Sequence, residues 1–227
     1  MMPRIRNFLI FFFLAGIIFC ACAVQPPIKP SGSIDPYAAF RASSPRSILV
    51  MPPVNHSPDI NGSAAFLASS TWPLAEAGYY VIPVSLSSRT FIENGITVAE
   101  DAHAIEPSRL RQIFGADCAL YITITRYGVR YIGISSIVEA AASARLIDLR
   151  NGIELWSERI SMSESSNSGN IKDNILEVVI TAALSQVINT LSDRAYDVAR
   201  NANHQLLSAG RKKGLLYGPY HPKYGKD

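Results

Sequence analysis

From Cys118 to Tyr131 apolar and polar side chains alternate: Cys118, Leu120, Ile122 and Ile124 fall on one side, Tyr121, Thr123, Thr125 and Tyr127 on the other. A repeat of two over that length fits an extended strand, because a helix would scatter the same residues around its axis. So long a strand needs a sheet around it, and the flanking segments must supply its neighbours. Ser47-Ile48-Leu49-Val50-Met51, stopped by Pro52-Pro53, is short and almost wholly apolar, as a strand buried on both faces should be. Helix formers run from Ala64 to Ala77 and end at Gly78, with Pro73 expected to bend or begin part of the helix, and Tyr79 to Val84 reads as the next strand. Strand, helix, strand in that order implies a right-handed parallel crossover.

Two further helices are expected, around Leu86 to Asn94 and from Glu106-Pro107 to Phe114. Beyond the alternating segment, Ile134 to Leu149 reads as a second long strand. Arg150-Asn151-Gly152 predicts a type I′ hairpin turn that sets Leu149 and Ile147 against Ile153 and Leu155. A third strand runs from Ile153 to Met162, and Ser163 to Asn170 is polar enough for a loop. From Ile171 the pattern is helical, with Ile171, Ile175, Val178, Val179 and Ala182 in one stripe and Leu176, Ile180, Leu184, Val187 and Leu191 in another. That is wider than one core-facing stripe, so the helix is either buried between sheet and loops or uses one face for self-association, with Val179 and Val187 as its marker positions. Glu177, Gln186 and Asn189 interrupt it too often for a membrane span. The expected fold is a single three-layer-like α/β domain over residues 47–210, with a mixed sheet (parallel crossover first, antiparallel meander after) and a long C-terminal helix.

The N-terminal end determines location. Arg4 and Arg6 precede an uninterrupted apolar run, Phe8 to Phe19, and then Cys20-Ala21-Cys22. Twelve residues are about half of a bilayer span, so residues 1–21 read as a lipoprotein signal peptide cleaved before Cys22. Ala21 supplies the small residue that processing needs ahead of Cys22, while Phe19 disfavours Cys20 as the acceptor and is itself an unusual residue three before Cys22. A signal cleaved without lipid, or an uncleaved anchor, are the alternatives. Several acyl chains at about 0.8 kcal/mol per buried CH₂ would hold Cys22 at a membrane. Ala23, in place of the Asp that commonly retains lipoproteins at the inner membrane, points to the outer membrane with the body facing the periplasm. Residues 22–46, rich in Pro and Ser, read as a flexible tether, and residues 211–227 as a basic, aromatic tail that docks on the body or a partner or stays solvated.

Removing residues 1–21 leaves 19 basic against 18 acidic residues, a balance that gives no field for nucleic acid. Cys118 is the one cysteine left besides Cys20 and Cys22, so no intrachain disulfide is expected, and its apolar surroundings predict an inert buried thiol. No two of His56, His103, His204 and His221 share metal-ligand spacing, and no metal or cofactor is expected. Glu100-Asp101 with Asp148 is a weak candidate carboxylate pair, and a ligand pocket would lie beside His56, past the first parallel strand. No G-x-S-x-G, Walker loop or G-x-G-x-x-G is present.

Pro45-Arg46-Ser47-Ile48-Leu49-Val50-Met51-Pro52-Pro53-Val54-Asn55, Pro73-Leu74-Ala75-Glu76-Ala77-Gly78-Tyr79-Tyr80-Val81, Phe114-Gly115-Ala116-Asp117 and Gly218-Pro219 resemble the lipoprotein domain-of-unknown-function 799 family over nearly the whole mature chain. The resemblance implies an outer-membrane lipoprotein whose body is related in architecture to the amino-terminal domain of the Tol-system periplasmic protein and to the curli-secretion lipoprotein. It brings no catalytic residue, transfers only Cys22 as a functional position, and implies a curli-secretion-like envelope lipoprotein as a partner. The expectation is therefore a non-enzymatic adaptor or component of an envelope transport or assembly complex, with a small-ligand-binding component and, more remotely, a hydrolase as alternatives.

Overall fold

The alternating segment forms the middle of the sheet. In a computed structural model, which describes residues 35–132, 135–166 and 180–226, it is strand β4 (Cys118–Ile132). Strand β1 (Ser47–Val50) pairs parallel with β4 on one side and with β3 (Tyr80–Val81) on its other, and β2 (Val54–Asn55) continues along β4. Strands β5 (Ser135–Asp148) and β6 (Glu154–Ser166) add antiparallel, giving the order β3-β1-β4-β5-β6. The mixed α/β sheet is the expected one, parallel at the start and antiparallel at the end.

Helices cover the two halves unequally. Helix α2 (Gly62–Glu76) and the long α6 (Ile180–Leu207) lie on one face, where Ile48, Val50, Leu120, Ile122, Val138 and Leu146 meet Phe66, Leu74, Val198 and Leu206. On the opposite face α3 (Val84–Glu93), α4 (Ala99–His103) and α5 (Pro107–Phe114) enclose a smaller core of Leu49, Met51, Phe91, Leu110, Ala119, Tyr121 and Leu149. These three short helices stay over the parallel half. The same face of β4, β5 and β6 beyond Tyr121 carries no helix among the described residues.

The even alternation breaks at one point that controls everything beyond it. Ile124 pairs with Ala142 but Arg126 with Ala141, so Thr125 is an inserted residue, a β-bulge, and its hydroxyl donates to the carbonyl of Ala141 at 3.2 Å. Tyr127 therefore joins Ile124 in the α2/α6 core, with Val129 packed against it, and does not continue the Tyr121 side as the plain alternation predicted. Arg126, Gly128 and Arg130 are turned onto the uncovered face.

Other boundaries also differ from expectation. The body begins at Pro36, ahead of the predicted tether end at residue 46: helix α1 (Ala38–Ser43) buries Phe40 at 2% exposure. The β5–β6 connection is not a type I′ turn, which needs positive φ at both central residues; only Gly152 has it, at +74°. Gly152 N–H instead donates to Asp148 C=O at 2.8 Å, closing a longer loop. A second irregularity then sets Ile147 opposite Glu154 and Leu146 opposite Trp156, so the predicted facing of Ile147 and Leu149 with Ile153 and Leu155 does not occur. Strand β6 runs on to Ser166, where a loop from Ser163 was expected, because every second residue (Ile160, Met162) still finds the core. The predicted strand Tyr79 to Val84 shortens to two residues, since Pro83 lacks the N–H for a ladder and instead caps α3.

The C-terminal segment docks on the body. Leu215 is buried at 1%, Gly218 N–H donates to Ala77 C=O at 2.7 Å, Tyr79 Oη–H donates to Leu216 C=O at 2.6 Å, and Trp156 Nε1–H donates to Lys213 C=O at 2.9 Å. We call residues 213–221 the strap.

Candidate functional site

Cys22 and Val179 lie outside the described residues, and Val187 sits in α6 where only the backbone is described. The remaining candidates are scattered. His56 is exposed on the loop after β2. Asp148 does not join Glu100 and Asp101, which stand exposed on α4. Cys118 is buried as expected, and desolvation, reinforced by the carboxylates of Asp148 and Asp117, pushes its thiol far above the ordinary range. Such a thiol is not a nucleophile at neutral pH. Among the described residues no group of three or more His, Cys, Asp or Glu could hold a metal, and no helix is long and apolar enough to cross a membrane.

His103, not His56, stands at the carboxyl end of β1. Its Nε2 lies 2.9 Å from the carbonyl of Pro52, so the neutral ring carries its proton there, and it packs edge-to-face with Tyr121, ring centroids 5.0 Å apart. Burial holds its pKa below the usual histidine value; Arg145 adds to this, while the Pro52 carbonyl and Glu100 oppose it. The unfolded chain thus takes up a proton near pH 6.5 that the folded one refuses until lower pH. Stability is expected to fall as pH drops through and below that value, and His103→Gln should flatten this part of the profile; urea midpoints at pH 8, 6.5 and 5 measure it.

Where the chain enters the body, Ser43, Asp148 and Arg150 form a closed node. Asp148 is 1% exposed; its Oδ2 accepts from Arg150 Nη2 at 2.6 Å and from Ser43 Oγ at 2.8 Å, and its Oδ1 accepts from Arg150 N–H at 2.8 Å. Burial alone would raise this carboxyl, but the donors outweigh it and hold it below the ordinary carboxylate range. Tyr37 Oη–H adds a bond to Gly214 C=O at 2.7 Å, tying the entry to the strap. A cavity of about 250 Å³ opens beside this seam, lined by Phe40, Arg41, Tyr79, Tyr217 and Tyr224. The node fixes α1 to the end of β5.

The face of β4–β6 that carries no helix among the described residues gathers arginine side chains. Strand register places Thr123, Arg126, Gly128 and Arg130 of β4 beside Ser143, Ala141, Glu139 and Ile137 of β5, and beside Arg159, Ser161 and Ser163 of β6. Arg145, next to Tyr121, completes four guanidinium groups over a floor of small side chains. Glu139 is shared, 3.7 Å from Arg126 Nε and 3.3 Å from Arg130 Nε, and Glu154 lies 3.8 Å from Arg145 Nη1. Arg126 stretches across β5 to donate to Ser161 Oγ on β6 at 2.7 Å, which accounts for the 4% exposure of Ala141 beneath it. Asp59 meets Gly128 from the β2 edge but accepts from Asn61. Individual exposed pairs of this kind contribute little to stability, so the arrangement is not explained as a stabilising device.

Comparison with known proteins fixes the lineage. The family model described as "Putative lipoprotein GNA1162-like" matches residues 35–220. The chain belongs to this family. It is 45% identical over 205 residues to "Putative lipoprotein NMB1124/NMB1162" of Neisseria meningitidis serogroup B, covering 90% of this chain and 92% of the relative. The crystal structure of lipoprotein GNA1162 from Neisseria meningitidis superposes with a TM-score of 0.52 at 47% identity, over 66% of this chain and 99% of that one. A PelC dodecamer from Paraburkholderia phytofirmans is more distant, at 13% identity and a TM-score of 0.43 over 71% and 86% of the two chains. The family resemblance read from the β1 and α2–β3 segments is confirmed.

Sequence reasoning missed α1, the Ser43–Asp148–Arg150 node, the position of His103 and the arginine face. Only the node had a local sign, the Asp-Leu-Arg-Asn-Gly run that combines an acid, a base and a turn.

Proposed function

We propose that this GNA1162-like lipoprotein is a non-enzymatic adaptor of the bacterial envelope, anchored by lipid on Cys22 at the outer membrane and presenting its body to the periplasm. The observation that carries the reading is the half-covered sheet: among the described residues, helices close both faces of the parallel half, while β4–β6 leave one polar face and the β6 edge free to meet another protein. Surfaces of this kind recruit partners through backbone pairing and charge matching more readily than they enclose a small substrate. A curli-secretion-like lipoprotein is the partner the family reading favours, and Val179 and Val187 remain the positions at which a contact between copies is to be tested.

Cys22→Ser tests the anchor. Cells given an alkyne fatty acid should label the parent chain and the Cys20→Ser variant but not Cys22→Ser, which should move from the membrane to the soluble periplasmic fraction. Label retained by Cys22→Ser would overturn the assignment. Crosslinking of whole cells should recover the chain joined to another envelope protein, and recovery of none would count against the adaptor role.

A further inference from the structure

The arginine face ends at an unpaired strand edge. Strand β6 is last in the sheet, so among the described residues nothing pairs with its outer side. Its first part, Glu154 to Glu158, is flanked by Pro36, Tyr37 and Lys213, and among the described residues nothing flanks the stretch from Arg159 onward. Native proteins guard such an edge with charge or cover it, because its free N–H and C=O groups otherwise recruit any extended chain.

The charge here is mainly positive, four guanidinium groups against Glu139 and Glu154, and two of the four reach the edge. Arg159 has no ion pair among the described residues, and Arg126, two strands away, reaches Ser161 of β6 because the floor between them is alanine and serine. Glu139 is a single carboxylate shared by two guanidinium groups, so positive charge is left over on this face. The opposite face of β6 differs: Glu158 and Glu164 point that way, the latter 3.2 Å from Arg194 of α6.

We propose, building on the adaptor reading, that β6 from Arg159 onward receives an extended acidic segment of a partner protein as an added strand. Its acidic side chains stand at every second position on the arginine side. An added strand would lie about 4.8 Å from β6, with its side chains in the same two-residue repeat. Carboxylates on the open side then meet Arg159 and Arg126, while a strand acidic on both sides would meet Glu158 and Glu164. A second copy fits poorly, since the same side of its own β6 carries Arg159, Ser161 and Ser163 and would bring no carboxylate to these guanidinium groups.

The probe is a fluorescent Thr-Glu alternating octapeptide, with a Thr-Gln octapeptide and vesicles rich in phosphatidylglycerol as comparisons, titrated against the full processed chain in detergent. The acidic peptide should bind, the neutral one should not, and Arg159→Glu should weaken binding about tenfold at unchanged melting temperature. Arg126→Ala is the second variant, expected to act in the same direction, since Arg126 is the other guanidinium that reaches β6. Equal binding of both peptides, indifference to both substitutions, or arginine-dependent binding to the vesicles in place of the peptide would each overturn the proposal. If these fail while whole-cell crosslinking still recovers a protein partner, the acidic-strand inference falls and the adaptor reading stands; if crosslinking recovers none, the adaptor reading itself falls.

Discussion

Gly218→Ala should unfasten the strap and lower stability by about 3 kcal/mol, the upper end of overpacking costs, or roughly 6–12 °C in melting temperature for a body of this size. A Cβ at residue 218 would stand 2.3 Å from the carbonyl oxygen of Gly78 and 2.6 Å from its carbonyl carbon. Both are backbone atoms at the end of α2, and neither can swing aside as a side-chain tip can. Gly78 is equally constrained from the other side: its φ is +90° and a Cβ would lie 2.5 Å from the backbone nitrogen of His221. The two glycines let the strap cross the end of α2 closely enough for Gly218 N–H to reach Ala77 C=O and Tyr220 N–H to reach Gly78 C=O. Loosening the strap would also free Leu215 and the carbonyls that satisfy Tyr79 and Trp156. Gly95→Ala is the control: φ is +80° but no atom lies within 4 Å, so only the left-handed backbone cost of about 1 kcal/mol is expected. Thermal melts, with Trp fluorescence reporting on Trp156, measure both variants against the parent.

The second large effect is at the entry node. Arg150→Ala should cost about 3 kcal/mol, because Asp148 would keep its charge in a 1% exposed position with Ser43 as its remaining side-chain donor. Arg150 is itself 39% exposed, which places the value at the low end for a buried pair. The pH dependence separates this from lost packing. In the parent protein the Asp148 carboxyl is held below its usual value, so its contribution is present above about pH 3.8 and is lost as pH falls through the lowered folded value. In Arg150→Ala burial is opposed only by Ser43 and the backbone N–H of residue 150, so that carboxyl rises from its value in the parent, and acidification should protonate it and narrow the gap between the two. A gap independent of pH would show that the ion pair is not what Arg150 supplies.

Much of the fold was legible because its signals are local: the alternation of β4, the apolar run of β1, Pro107 opening α5 and Gly115 closing it with φ of +66°. Features set by tertiary contact were not. Helix α1 has six residues and no side-chain cap, and it exists because Phe40 is buried and Ser43 is tied to Asp148. The Asn151-Gly152 signal for a tight hairpin lost to Asp148, whose carboxylate captures the N–H of Arg150 and lengthens the loop. The bulge at Thr125 matters most for the candidate site. Continued from Ile124, the plain two-residue repeat would drive Arg126 and Arg130 into the core; one inserted residue puts Tyr127 and Val129 there and turns the arginines outward. No single residue in the sequence announces that shift. The arginine face becomes visible only when three strands are laid in register.

The account rests on the open face of β4–β6 being where another envelope protein docks. Its most direct test places a photoactivatable amino acid at Ser161 on that face, and in parallel at Ile92 and Ala68 on the outer surfaces of α3 and α2, in the full chain expressed in its own envelope. Irradiation should join a protein partner to the chain from Ser161 and from neither helical position. Adducts from the helical positions alone, or from none of the three, would contradict it.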